Sequence, residues 1–425
     1  MKILLVGFLR IGEDNATGRT LQNLFEGMED VSILHYCLNP RLRKIENPNP
    51  TVFLTKKESR INYYLFEKYG GMNTDSTAAA AAAKSSAKGG LKKRLKQKLV
   101  KSASMLRDNS KIRISKETYE AIDAFAPDLI YTLGGSIAVT DVVIRLSEHY
   151  RIPIVVHTMD DLISRRYSGK GLFTKHLRKK FLRLTNKMYE HSVCGIAIGE
   201  KMANEYQGKF NLPFYHAMNC IDCTHYEPAE PHEKRRIIFS GGVHGGRDKM
   251  LAQVASSVDR YNAAHPDRAV ELEIYTTPAG KKQLEAVNSD GVSVNDYVPK
   301  EELFHNFSRA DILLHVESFE EEDRKYFRLS MSTKLPEYMS VGRAIMVIGP
   351  EDVSSLEYVE KHNVGVAFHD LQQIDAFLES VTDEELSQMG KRALALAEKN
   401  HLRQNVQRVL KTAFAESVEQ YQSGT

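Results

Sequence analysis

Ser332-Thr-Lys-Leu-Pro-Glu-Tyr-Met-Ser-Val-Gly-Arg343, followed at once by the apolar run Ala344-Ile-Met-Val-Ile348, reads as a phosphate-binding helix start that leads into a buried strand. Ser332 or Thr333 can cap a helix, and Pro336 is tolerated only in its first turn, where backbone N–H groups have no intrahelical partner. Gly342 is placed to close the helix. Free amides and the positive end of the helix dipole favour an anion, Lys334 adds a point charge, and Glu337 sits about one turn further in. Amides from Ser332 to Leu335 for a diphosphate and a carboxylate on Glu337 for paired ribose hydroxyls suit a nucleoside diphosphate.

Working outward, the flanking sequence alternates short apolar runs with helical patterns. Arg236-Ile-Ile-Phe239 with Gly241 and Gly242, then Val270 to Tyr275, Asp311 to His315 and Ala344 to Ile348, make one series of strands. A second series lies upstream. Residues 2–7 read as a buried strand, Gly12 to Gly18 as a polar turn, and Leu21, Leu24, Phe25 and Met28 as a helix face; Val31 to Cys37, Asp128 to Leu133 and Ile152 to Val156 follow, and Gly195 to Ile198 is expected to end the series. Such alternation predicts parallel sheets covered on both faces. The expected fold is therefore α/β, with two tandem Rossmann-like doubly wound domains and a ligand cleft where strand carboxyl ends meet.

The proline-bearing region Pro213 to Lys234 reads as the linker. Domains are expected at 1–218 and 219–400, with residues 401–425 in a helical stretch, starting near Glu384, that packs back towards the first domain. Residues 74–90, with alanines from Ala78 to Ala83, are low in complexity: a mobile loop reaching to about residue 105, or an extension of the following lysine-rich helix.

A chain of 425 residues exceeds one ordinary core, which agrees with two domains. No apolar stretch approaches the ~20 residues that span a bilayer, and Met1 to Gly7 is too short for a signal peptide, so a cytoplasmic location is expected. Cys37, Cys194, Cys220 and Cys223 are too few for a disulfide framework, and Cys220-x-x-Cys223 has no second pair to complete a zinc site. The net charge is +3, but eight basic and no acidic residues fall from Lys84 to Lys101, and nine basic and no acidic from Arg165 to Lys187.

Two tandem α/β domains, the Ser332 to Arg343 segment and the turn Phe239-Ser-Gly-Gly-Val-His-Gly-Gly-Arg-Asp-Lys249 together resemble the retaining glycosyltransferases of GT-B fold, family 4. The resemblance implies a nucleotide-sugar donor, its diphosphate on Lys334 and nearby amides and its ribose on Glu337. It brings Arg247 to the diphosphate; Lys249 aligns less well, because the family commonly has adjacent Arg-Lys. Ile152-Pro-Ile-Val-Val-His-Thr-Met-Asp-Asp161 resembles the family strand that ends in a histidine beside the donor sugar, which implies a role for His157 in the reaction; a strand-end histidine that is only hydrogen-bonded is the alternative. Asp160 or Asp161 could bind acceptor hydroxyls, or cap the next helix. The Gly12 to Gly18 loop resembles the family's first loop, close to donor phosphate and acceptor.

One departure concerns the sugar. The family has two glutamates eight positions apart, and eight before Glu337 stands Leu329. Sugar recognition then falls to Glu317, Glu320 to Glu322 or Lys325 to Arg328, unless Glu317 to Asp323 is only a solvated acidic loop.

The expected activity is transfer of a sugar, with retention, to a saccharide or lipid-linked saccharide in glycan or polysaccharide synthesis, without metal or other cofactor. Gly171 to Thr185 places Phe173, Leu177, Phe181 and Leu184 on one helical face with cations opposite, as for an anionic membrane surface at the inner face of the cell membrane, or as for a core-facing helix with a solvated basic side. Neither basic segment interleaves aromatics for nucleic-acid stacking. The competing functions are a nucleotide-sugar epimerase of similar fold and a nucleotide-sugar-binding protein without transfer.

Overall fold

The computed structural model describes all residues except 13–14, 45–48, 70–90, 170, 226–232 and 425. It divides into two compact units, Met1–Met218 with Val406–Thr425, and Asn219–Asn405. Each is built on a parallel sheet.

In the first unit the strands are β1 (Lys2–Gly7), β2 (Ser32–Cys37), β3 (Thr51–Phe53), β4 (Leu129–Thr132), β5 (Ile154–Thr158), β6 (Gly195–Ala197) and β7 (Phe214–His216). Their order is β3-β2-β1-β4-β5-β6-β7, every pair parallel. The central strands are apolar throughout because helices cover both faces, which removes the need for period-2 alternation. Two expectations are corrected at the edges. Phe214–His216 pairs with Gly195–Ala197 rather than opening the linker, and Thr51–Phe53 pairs with His35–Cys37 inside a region that reads as irregular. Three-residue edge strands carry too little pattern to be read locally; backbone pairing with a formed neighbour makes them.

The helix Ala16–Phe25 starts at Asn15, whose side chain accepts from the Gly18 amide at 2.8 Å. Gly18 is thus a first-turn helical residue, not part of a loop, and its amide already has a partner. Residues 74–90 of the low-complexity stretch lie outside the described residues, and Leu91–Asn109 is helical. In the helix Leu172–Glu190, Leu177, Phe181, Leu184 and Met188 are buried in the unit's core, while Leu172 and Phe173 are exposed. Of the face expected from the sequence, Leu177, Phe181 and Leu184 are covered by protein, as the core-facing reading expects, and Phe173 is not. Among the described residues no helix is long and apolar enough to cross a membrane.

The second unit orders its strands β10-β9-β8-β11-β12-β13, again all parallel. They are β8 (Arg235–Ser240), β9 (Val270–Thr276), β10 (Val292–Asp296), β11 (Ile312–Val316), β12 (Ala344–Ile348) and β13 (Gly365–Phe368). The chain order reverses between β8 and β11, so the loops leaving these strands diverge over the sheet's carboxyl edge, where open α/β sheets bind ligands. Ile237, Phe239, Leu272, Ile274, Leu314 and Met346 anchor the core beneath.

The terminal helical stretch is broken. Asp383–Leu396 passes through a wide turn, Ala397–His401, to an extended Leu402 before Arg403–Gly424 begins. From Val406 onward this last helix belongs to the first unit. There Phe414 packs on Phe25 and Tyr131, and Gln407 donates to the Leu24 and Glu26 carbonyls at 3.0 and 2.8 Å.

Candidate functional site

The carboxyl edge of the second sheet gathers most of the residues singled out from the sequence. β8 ends at Ser240 and turns through Gly241 and Gly242 into Gly245 and Gly246, whose φ angles are +68° and +79°. A Cβ on Gly246 would lie 2.5 Å from Ser318 Oγ and 2.7 Å from an Asp323 carboxylate oxygen, so glycine is required by both backbone and space. Gly246 is the N-cap of the helix Arg247–Ala264, and Arg247 is its first residue.

Arg247 turns towards the end of β11. Its Nε donates to the Val316 carbonyl at 3.0 Å, and Nη2 reaches both oxygens of Glu317 at 2.8 and 3.0 Å. Its guanidinium also lies 4.9 Å from the centre of the Phe327 ring. Glu317 is 3% exposed and takes a further hydrogen bond from His315 Nε2 at 3.0 Å. Burial alone would raise its carboxyl, but the Arg247 charge and the hydrogen bonds from His315 and Arg247 outweigh that and hold its pKa down at about 2.

The reading of Glu317 to Asp323 as a solvated acidic loop is therefore corrected in part. Glu317, Ser318 and Asp323 are buried, the Ser318 hydroxyl donating to Asp323 at 3.1 Å, whereas Glu320, Glu321 and Glu322 are exposed. Glu317 is the residue whose role the sequence did not disclose; the available signal is its place directly after a fully apolar strand.

The Ser332 segment lies on the same edge. The helix is short, Leu335–Ser340, with Lys334 rather than Ser332 or Thr333 at its N-cap and Pro336 in its first turn. Ser332 instead accepts from the Lys334 amide at 3.3 Å and donates its own amide to Ser355 Oγ at 3.1 Å, tying the approach to the helix that follows β12. Gly342, at φ +66°, ends the turn as its position suggests. Tyr338 holds the helix down: the Ser240 amide donates to its hydroxyl at 3.0 Å, and the hydroxyl reaches the Leu314 carbonyl at 3.3 Å. One phenol thereby couples this helix to the carboxyl end of β8 and to the middle of β11. On its outer side Lys334 Nζ donates to Glu337 at 2.8 Å, both side chains part-exposed, so the cation and the carboxylate assigned to one ligand are adjacent.

Two hydroxyls at this edge, Ser240 Oγ and Thr276 Oγ1, are buried without protein partners. Such groups are uncommon in a folded interior. Leu329 is 2% exposed, a core side chain. Lys249 is exposed, 3.6 Å from Glu320, and lines a cavity of about 510 Å³ with Gly246, Ser318, His369 and Asp370. It does not share the Glu317 carboxylate with Arg247.

In the first unit the candidates are placed differently. His157 is 0% exposed on β5, Nδ1 2.6 Å from the Tyr131 hydroxyl, in an aromatic cluster that includes Phe25 and Phe414 through Tyr131. Burial pushes its pKa down to about 4, against an opposing effect of the Ala217 backbone. A neutral, enclosed imidazole bonded to Tyr131 is what the hydrogen-bonded reading of a strand-end histidine expects. Asp161 is 4% exposed and accepts from the Ser164 amide at 3.1 Å and the Tyr206 hydroxyl at 2.8 Å; it caps Leu162–Arg165, the capping role that its sequence position also allowed. Asp160 beside it is partly exposed. Gly12, at φ +75°, has its amide bonded to the Gly18 carbonyl at 3.1 Å.

Comparison with known proteins places the fold first. The chain aligns over 99% of its length with 99% of an E. coli trehalose-6-phosphate structure bound with UDP-2-fluoro glucose (TM-score 0.60, 9% identity). It aligns over 98% with 97% of an alpha,alpha-trehalose-phosphate synthase (UDP-forming) from Burkholderia vietnamiensis (TM-score 0.59, 10% identity). A GtfA/B complex matches 68% of this chain over 57% of its own (TM-score 0.50, 14% identity). The architecture is GT-B, α/β with two parallel sheets. Residues 253–413 match the family described as glucosyltransferase 3-like, C-terminal domain. No curated protein matches the sequence.

Proposed function

We propose that the chain is a glycosyltransferase of GT-B type that takes a sugar from a nucleoside diphosphate donor held by the second unit. The observation that carries the reading is the fastening of the Lys334–Glu337 pair and the Gly241–Gly246 turn to the ends of β8 and β11 by Tyr338 and Arg247. It is supported by the match of residues 253–413 to a glucosyltransferase-like domain. A uridine nucleotide is the first donor to test, since a structural relative holds one.

In this reading Lys334 meets the diphosphate, Glu337 the ribose hydroxyls, and Arg247 contributes fixed positive charge whose position Glu317 sets in advance. Cleavage of the glycosidic bond leaves negative charge on the departing diphosphate, and cations held in place stabilise that charge without reorganising. Transfer with retention, by a front-face displacement in which a leaving phosphate oxygen takes the acceptor's proton, requires no separate base. The acceptor is a saccharide or lipid-linked saccharide, as in glycan or polysaccharide synthesis.

A second reading, nucleotide-sugar binding without transfer, is favoured by Leu329, an apolar core residue where the family has its first glutamate. Calorimetric titration with UDP tests the shared element of the two readings. UDP release from UDP-sugars in the presence of acceptor extracts separates them: binding with no release in any extract would refute transfer.

A further inference from the structure

The first unit carries an alternation of cations and aromatic rings that none of the preceding roles uses. It runs outward from the loop after β1, across β3, the turn Pro40–Lys44 and the helix Arg60–Tyr69. Arg10 lies 5.3 Å from the centre of the Phe53 ring, Arg43 lies 5.5 Å from the same ring and 6.0 Å from Tyr63, and Lys56 lies 5.2 Å from Tyr63 and 5.3 Å from Tyr64. Arg10 is the buried inner end, fixed by the Leu42 carbonyl at 2.8 Å. The outer members face water: Arg43 and Lys56 are exposed, and Tyr64 is 56% exposed beside Ile61 at 47%.

The charge here is mostly positive, with exposed Glu67 following further along the helix. Among the described residues from Asn39 to Phe66 the cations are Arg41, Arg43, Lys44, Lys56, Lys57 and Arg60, all exposed, and the one carboxylate is Glu58. Glu58 is 2% exposed and faces inward, accepting from Tyr36, Thr118 and the Thr55 amide. Among the described residues, Lys57 alone of these cations has an acidic partner, Glu117 at 2.9 Å. A surface with an excess of cations over aromatic rings attracts a polyanion, and the rings offer faces that a purely ionic patch lacks.

We propose that this surface binds an anionic saccharide chain, with carboxylate or phosphate groups on Arg43, Lys56 and their neighbours, and sugar rings against Phe53, Tyr63 and Tyr64. One observation and one inference favour a saccharide over a single-stranded nucleic acid. Tyr63 and Tyr64 stand at 85° to one another with centres 6.0 Å apart, so they do not form the parallel platform on which successive bases stack. The second is the sugar-transfer reading of the other unit, on which this choice of polymer rests.

The test uses the full chain and fluorescence anisotropy with labelled polygalacturonate, dextran as the neutral chain, and oligothymidylate as the nucleic acid. Expected are salt-sensitive binding of polygalacturonate, none of dextran, weaker binding of oligothymidylate, and about tenfold weaker polygalacturonate binding in the surface variant Lys56→Ala/Tyr64→Ala, with unchanged UDP affinity and circular dichroism. Absence of polygalacturonate binding, equal affinity in the variant, equal binding of dextran, or preference for oligothymidylate would each overturn the inference. Failure of the wild-type chain to bind UDP would strike the sugar-transfer reading instead, leaving the polygalacturonate result to stand or fall by itself.

Discussion

Arg247 and Glu317 form a part-buried two-oxygen ion pair that joins the first residue of a helix to the residue just after a strand, seventy positions away. The pair orients a cation that the sequence suggests is free for a phosphate. Removing Arg247 leaves the Glu317 carboxylate buried without its counter-charge, which costs about 3–5 kcal/mol.

The Glu317 carboxyl therefore has a pH signature. Its folded pKa, about 2, lies below its ordinary value of 4.5, so its contribution is complete above pH 4.5 and is lost as pH falls towards 2. Urea unfolding should show the wild-type advantage over Glu317→Gln shrinking by about 3 kcal/mol between pH 6 and pH 2. A difference that stays constant with pH would contradict the assignment.

Lys334→Ala and Glu337→Ala should separate binding from stability. Their pair is part-exposed, so each change should cost no more than about 1 kcal/mol of folding stability. Each should weaken UDP binding about tenfold or more, the weight of a hydrogen bond to a charged group. Titration calorimetry beside thermal melts would show it; full UDP affinity in both variants would remove them from the donor site.

Leu329→Glu restores the family's missing acid on paper only. At 2% exposure the new carboxylate enters the core without a partner, and a loss of several kcal/mol in unfolding free energy is expected. A stable variant with improved sugar release would instead mean that the position opens towards the donor.

His157 should act on stability rather than on nucleotide binding. Its pKa falls from 6.5 to about 4 on folding, so its contribution is whole above pH 6.5 and is lost as pH drops towards 4; buried His35, lowered to about 3, adds to the same acid loss. In His157→Leu the slope of stability against pH between 6.5 and 4 should be shallower, by about 3 kcal/mol across the window, with UDP affinity retained. An unchanged slope would show that the imidazole titrates freely.

Much of the fold is legible in the chain because its information is local. Apolar runs such as Lys2–Gly7 and Ala344–Ile348 announce central strands of covered parallel sheets, and Pro336 and Gly342 bracket a short helix through backbone rules that need no partner. The sequence by itself thus determined a doubly wound α/β architecture and the place of the Ser332 segment beside a strand.

What the tertiary structure alone decided depends on partners distant in sequence. A charge reads the same whether it faces water or an opposite charge, so Arg247 could not announce Glu317, nor Asp161 the Tyr206 hydroxyl. An amphipathic helix reads the same whatever covers its apolar face, and Leu177 and Phe181 found the core. His157 ends a strand like any exposed histidine until Tyr131 takes its Nδ1 in a dry cluster. Burial sets the cost of each charge and the identity of each partner, and burial belongs to the packed chain, not to any stretch of it.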